Sequence, residues 1–233
     1  GITVFSSPFD MTAVDFLEQF DPPAYKIASF ECVDPTLIRH AAATGKPLII
    51  STGMANLTEI SEAVETATGN GDGGVVILHC VSGYPTPAEE ANVRTIPHLA
   101  DTFGWPVGLS DHTLGTAVPV SAVALGAVMI EKHLTADRGE GGPDAAFSLE
   151  PKEFRSLVED CHTAWSAMGG VDYKRKASEE ANVQFRRSLY VVEDVAVGEI
   201  LTESNLRSIR PGFGLAPRYF DRVVGLRAKR VLK

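Results

Sequence analysis

Two short apolar runs end in histidine: Val107-Gly-Leu-Ser-Asp-His-Thr113 and, about twenty residues on, Met129-Ile-Glu-Lys-His133. Each has the length and composition of a buried parallel strand. Two imidazoles at the carboxyl ends of successive strands can share one divalent metal, and imidazole suits Mn, Fe, Co and Zn. With His112 and His133 as the only protein ligands, the other coordination positions stay open to water and substrate, as a catalytic metal requires.

A second set of residues suits an anion. Lys26 lies inside the apolar run Ala24-Tyr-Lys-Ile-Ala-Ser29. A buried ammonium is costly alone, so it either reaches out to the rim or meets a bound anion. Ser29, Ser51 and Ser110 are hydroxyl donors at strand ends; one alone is more often a cap, but together they favour a phosphate or carboxylate site. Ser6-Ser7, Glu31, Thr52-Gly53 and the stretch His79 to Tyr84 fall at the same level. The glycine-rich loop Gly139-Glu-Gly-Gly-Pro-Asp144 either carries Asp144 over the site or leaves it as a solvated turn residue. His79 follows a run of aliphatics and is as readily structural as functional. His40, His98 and His162 fall on helical stretches and are expected at the surface.

The elements that must position these residues follow from periodicity. Strand-like runs are expected at 3–6, 24–29, 47–51, 75–80, 106–110 and 128–133, with helical segments at 13–20, 35–44, 57–68, 95–103 and 116–125 between them. Thr44-Gly45-Lys46-Pro47 reads as a helix C-cap followed by strand entry, and Asn56-Leu-Thr-Glu59 as an N-cap with an acidic residue three positions on. A repeat of roughly 20 to 30 residues suits the βα units of an α/β (β/α)8 TIM barrel, whose active site lies at the carboxyl ends of its strands. Six units are visible, so the expectation is a barrel lacking its first two βα units. The chain also opens on Gly1-Ile-Thr-Val-Phe5 without an initiator methionine.

A further helix is expected from Pro151 to about Met168, closed by Gly169-Gly170. The expected organisation is a partial barrel domain at 1–170, a polar linker at 171–185 and a small β-rich module at 186–233, with strand-like runs at 188–192 and 223–231. That module is marginal in size for folding alone and is expected to pack against a barrel, in its own chain or a partner's.

Composition bounds the partners. The 233 residues are 44% hydrophobic and 22% charged, with a net charge of -9. This balance argues against nucleic acid as a main partner, since phosphate backbones demand clustered Lys and Arg. No apolar run reaches membrane-spanning length and no signal peptide is visible, so the reading is a cytoplasmic protein without a membrane partner. Three widely spaced cysteines, Cys32, Cys80 and Cys161, fit a reducing compartment and small buried hydrophobes.

The motifs in order resemble the sialic acid synthase family: Ser7-Pro-Phe9, Ala24 to Ser29, Gly45-Lys-Pro47, Ser51-Thr-Gly-Met54, His79-Cys80 with Tyr84-Pro85, Gly108 to Thr113, Glu131-Lys-His133, Gly142-Pro-Asp144 and Arg210-Pro-Gly212. The small module resembles the SAF, or antifreeze-like, domain of that family. Within it, Phe30, Glu89 to Ile96, Phe147 to Pro151 and Ser208 to Leu215 are similar to the branch that makes pseudaminic acid. Ser82 stands where sialic acid synthases usually carry asparagine, which weakens N-acetylmannosamine as substrate.

The resemblance implies condensation of phosphoenolpyruvate with an amino-sugar aldehyde, assisted by a divalent metal, Mn²⁺ first and Mg²⁺ or Co²⁺ as alternatives. It implies that His112, His133 and Lys26 are catalytic, with the metal on the two histidines. Lys26, Ser29, Ser51, Ser82 and Ser110 would hold the phosphate and Ser7 the carboxylate. Glu31, Tyr84, Asp144, Phe147 and, from a partner chain in a domain-swapped homodimer, Arg210 would face the sugar. The family also carries two βα units upstream and further turns of the SAF domain, which implies a chain incomplete at both ends and inactive as given. Competing expectations are a N-acetylneuraminate or legionaminic acid synthase, a metal-dependent aldolase or other phosphoenolpyruvate-condensing enzyme on the same barrel, and a catalytically inert binding scaffold.

Overall fold

The computed structural model describes residues 1–233 and divides into two compact units, Gly1–Gly169 and Gly170–Lys233. In the first, five parallel strands follow one another across the sheet in chain order: β1 (Tyr25–Ile27), β2 (Leu48–Ser51), β3 (Val75–Cys80), β4 (Val107–Asp111) and β5 (Ile130–Lys132). Helices α1 (Met11–Glu18), α2 (Pro35–Ala42), α3 (Leu57–Asn70), α4 (Thr95–Phe103), α5 (Ala117–Ala124) and α6 (Pro151–Met168) precede, separate and follow them. This sequential parallel order is the α/β pattern expected from the βα repeat.

Local chemistry sets the helix ends. Asp10 and Asp34 cap α1 and α2 by accepting backbone N–H bonds. Asn56 and Glu59 form a reciprocal capping box at the start of α3. Past the end of α2, Gly45 at φ 77° closes the turn with its N–H on the Ala42 carbonyl.

Strand alternation gives the sheet two unlike faces. Tyr25, Ile27, Leu48, Ile50, Val75, Ile77, Val107 and Leu109 point to one face and join Val14, Ile38, Ile60, Val64, Ile96 and Leu99 from the helices in the main core. The residues between them point to the other face, where a small apolar layer of Ala24, Ile49 and Leu78, packed by Val76 and Met129, gives way to polar side chains toward the strand ends. Gly108 belongs to that layer, where a Cβ would lie 2.4 Å from the Met129 carbonyl oxygen.

Four expectations are corrected. The segment 3–6 is not a strand; only Ser6 forms a bridge, to Tyr25, because a run exposed along its length has no buried face to order it. The last strand starts at Ile130 rather than 128, since Val128 is exposed. In the second unit, 177–185 forms 3-10 turns instead of irregular chain, and 223–231 is not a strand.

The second unit consists of an antiparallel pair, β6 (Ser188–Val191) and β7 (Leu206–Ile209), a short helix α7 (Phe220–Val223) and isolated bridges Val195 to Leu232 and Ile200 to Arg227. Its core is Val195, Leu201 and Ala228. No helix of the chain is long and apolar enough to cross a membrane.

Candidate active site

The inner face of the sheet becomes polar near the carboxyl ends of the strands, at levels staggered by the register. Lys26, Ser51, Cys80, Ser110 and Glu131 come from β1 to β5 in turn, and one pleat further on stand His112 and His133. The register pairs Cys80 with Ser110 and Ser110 with Glu131, so the row is continuous across three strands.

Lys26 is buried, with its Nζ 3.6 Å from Glu131 Oε1 and donating to the Ile27 carbonyl at 3.0 Å. Burial pulls its ammonium pKa below the usual lysine value, opposed chiefly by Glu131. The counter-charge sought for this lysine is therefore available within the chain. Glu131 also accepts a 2.6 Å bond from Ser110 Oγ. Beside them, Ser82 Oγ donates to Ser29 Oγ at 3.0 Å. Gly53, at φ 50°, comes so close that a Cβ there would lie 2.5 Å from Ser29 Cβ and 2.9 Å from Ser82 Oγ. Glycine is thus required where these loops converge.

Two atoms here are buried without a hydrogen-bond partner: Ser51 Oγ and Glu31 Oε2. Buried polar atoms in folded proteins are almost always paired, and orphans at a pocket floor mark where a ligand atom can bind. Ser7 is half-buried, directly after the Ser6 carbonyl that accepts the Lys26 N–H.

The histidines form a second cluster. Their ring centroids lie 5.3 Å apart with planes at 61°. His112 Nδ1 is 2.8 Å from the Val81 carbonyl oxygen, which can only accept, so Nδ1 carries the proton and Nε2 keeps its lone pair. Burial lowers the His112 pKa, which also favours the neutral ring a metal needs. His133 Nδ1 faces Asp144 Oδ2 at 3.6 Å. Tyr84 packs on His112 at 4.2 Å between centroids, and the buried Phe147 lies edge-on to His133 at 5.0 Å. No group of three or more His, Cys, Asp or Glu side chains converges as a complete ligand set. The donors present fit an open two-histidine centre: two imidazoles, His112 with a fixed tautomer, close enough to share one ion.

The structure thus brings Lys26, Ser29, Ser51, Ser82, Ser110, His112, His133, Tyr84, Asp144, Phe147 and Glu31 to one end of one unit. Arg210 lies in the second unit, exposed at the end of β7. His79 is settled as structural: it points to the helix side, and its Nε2 donates to the Ala91 carbonyl at 2.7 Å. His98 and His162 are exposed, and His40 is half-buried in a 2.7 Å pair with Asp15.

Two residues were underrated. Glu131 links Lys26 to Ser110, a role visible in its spacing of two from His133 on one strand. Cys80 is more than a small hydrophobe: its thiol lies among Ser110, Ser82 and Lys26, with its pKa pushed up by burial. A surface groove of about 750 Å³, bordered by Arg94, His98 and Ser121, contains none of these groups.

The first unit is thus a parallel α/β sheet that carries a lysine, serines and paired histidines at its carboxyl edge. The profile of the NeuB family matches residues 1–173 and that of the SAF domain residues 186–233. The pseudaminic acid synthase of Helicobacter pylori is 41% identical over 99% of this chain and 68% of its own length. The N,N'-diacetyllegionaminic acid synthase of Campylobacter jejuni is 39% identical over 97% of this chain and 68% of its own. The crystal structure of the Bacillus subtilis spore coat polysaccharide biosynthesis protein SpsE superposes with a TM-score of 0.70 at 32% identity, covering 99% of this chain and 70% of that one. The chain belongs to the NeuB family and carries a SAF domain.

Proposed function

We propose that the protein acts as a nonulosonic acid synthase, condensing phosphoenolpyruvate with open-chain 2,4-diacetamido-2,4,6-trideoxy-altrose to give pseudaminic acid and phosphate. The observation that carries this reading is the single inner face on which an ammonium, an orphaned serine hydroxyl and two facing imidazoles converge. In this reading residues 1–170 form the synthase domain, 171–185 the linker and 186–233 the SAF domain, and the enzyme works in the cytoplasm.

Lys26, Ser29, Ser51, Ser82 and Ser110 hold the phosphate of phosphoenolpyruvate, with Ser7 at its carboxylate. A phosphate entering the row satisfies Ser51 Oγ and draws Lys26 away from Glu131, so the carboxylate already at hand sets the lysine's resting position. Glu31, Tyr84, Asp144 and Phe147 line the sugar side, and Arg210 from a second copy in a swapped dimer completes it. His112 and His133 would hold a divalent cation, Mn²⁺ first, which when bound would supply Lewis-acid polarisation of the aldehyde oxygen. The C3 carbon of phosphoenolpyruvate forms the new bond to the aldehyde carbon, water adds at C2, and one of the water's protons ends on the former aldehyde oxygen. The bond from C2 to the phosphate oxygen then breaks, its electron pair and the remaining proton leaving with inorganic phosphate, and C2 becomes the ketone of a 2-keto acid. Holding both substrates in line is the main service of the rim, since orientation alone can remove several kcal/mol from a bimolecular barrier.

The identity to a diacetyllegionaminic acid synthase supports a second reading that differs only in the sugar. Phosphate release from phosphoenolpyruvate with Mn²⁺, measured separately with the altrose sugar, the legionaminic precursor and N-acetylmannosamine, decides. Release with the altrose sugar alone is expected. Release with another sugar alone moves the specificity, and release with none removes the synthase reading.

A further inference from the structure

Asp111 and Lys132 belong to the two histidine-bearing strands but point away from the site. The register sets them directly opposite on β4 and β5. Lys132 Nζ lies 2.5 Å from Asp111 Oδ2, and the side chains are 1% and 2% exposed. The same ammonium donates to the carbonyl of Thr113, while Asp111 Oδ1 accepts the Thr113 N–H at 3.0 Å. Both backbone polar groups of Thr113, the residue after His112, are therefore gripped by one closed ion pair. The His112 carbonyl is held in turn by the Thr86 N–H at 3.0 Å. One end of the pair is anchored immediately before His112 and the other immediately before His133.

An apolar pair could fill this place at similar or lower cost, because burying two charges carries a desolvation penalty that their attraction only partly offsets. What an apolar pair could not do is bind the Thr113 peptide. We propose that Asp111 and Lys132 are positioning residues of the two-histidine centre: by clamping the Thr113 peptide to the neighbouring strand they hold the His112 ring opposite that of His133. The inference rests on the reading of His112 and His133 as the metal-holding pair. Binding constellations of this kind must be held within about 0.5 Å of the productive geometry by the residues that support them.

The test is Mn²⁺ binding to the full chain, followed by electron paramagnetic resonance, together with thermal unfolding. The variants are Asp111→Asn, Lys132→Met and the apolar double Asp111→Leu/Lys132→Met. The double variant is expected to recover most of the stability that Lys132→Met loses, while its Mn²⁺ dissociation constant stays roughly 10- to 100-fold weaker, the usual cost of losing a ligand's support. A pair that only stabilises would instead let Mn²⁺ affinity recover with stability. Wild-type affinity in the double variant overturns the inference. Should the double not fold, Asp111→Asn serves: weakened binding at near-native unfolding temperature supports the clamp, and unchanged binding overturns it. A wild-type chain that takes up no Mn²⁺ overturns the metal reading itself and the inference with it. Tight wild-type binding with unaltered variants overturns the inference alone.

Discussion

Lys26 and Lys132 are both buried lysines near the carboxyl ends of parallel strands, each facing a carboxylate from another strand, yet their pairs lie on opposite faces of the sheet. Lys132 and Asp111 are in contact at 2.5 Å, sealed from solvent and joined to both polar groups of the Thr113 peptide. Lys26 and Glu131 stand 3.6 Å apart, the Glu131 side chain is 42% exposed and it shares its oxygen with Ser110. A closed pair sealed from solvent can only hold shape. An open pair beside an orphaned hydroxyl can change partners, as a binding site requires.

The sharpest way to break the comparison is to remove each ammonium in turn. Lys132→Met strands the Asp111 carboxylate in the core and is expected to cost about 3–5 kcal/mol in denaturant unfolding. Lys26→Met leaves Glu131 able to reach water, so it should change stability by less than about 1 kcal/mol while raising the KM for phosphoenolpyruvate at least ~10-fold. Equal destabilisation by the two variants would erase the distinction between the faces.

A smaller effect is expected at Ser51. Its hydroxyl is buried with no partner in the free chain, so Ser51→Ala should leave the ligand-free unfolding temperature unchanged or slightly raised, since no bond is lost. With saturating phosphoenolpyruvate, the thermal shift should shrink by about 1 kcal/mol equivalent, one hydrogen bond's worth. A loss of stability without ligand would show that Ser51 already has a partner.

The smallest expected effect is in pH. Burial places the His112 pKa below the ordinary imidazole value, so in the window beneath about pH 6.5 the unfolded chain binds more protons at this site than the folded one. His112 therefore contributes stability that is present above about pH 6.5 and lost as pH falls through its lowered folded value. Unfolding at about pH 7.5 and about pH 5.5 should show a larger loss in the wild type than in His112→Gln, by under about 1 kcal/mol. An equal loss in both would place the titration elsewhere, His79 being the other buried imidazole whose pKa burial lowers.

Much of this was legible beforehand because period and burial agree. The runs around Ile27, Ile50, Ile77 and Leu109 could only be buried strands, and the Asn56–Glu59 capping box set the start of α3 without tertiary help. Where a run lacked a second strand to cover it, as at 3–6, hydrophobicity alone misled. The rim residues were legible as a set but not by side. Within Ser-Asp-His at 110–112 and Glu-Lys-His at 131–133 the sequence puts polar groups side by side, and alternation turns Asp111 and Lys132 to the helices.

The sequence by itself determined the βα rhythm, the strand ends at which polar groups gather and the two histidines among them, because these depend on local period and on the cost of burying polar side chains. Only the tertiary structure decided that Lys26 would meet Glu131, that Ser51 would be left without a partner and that one lysine–carboxylate pair would close behind the histidines while the other stayed open before them. Those outcomes depend on register between strands far apart in the chain, and register is set by packing across the sheet.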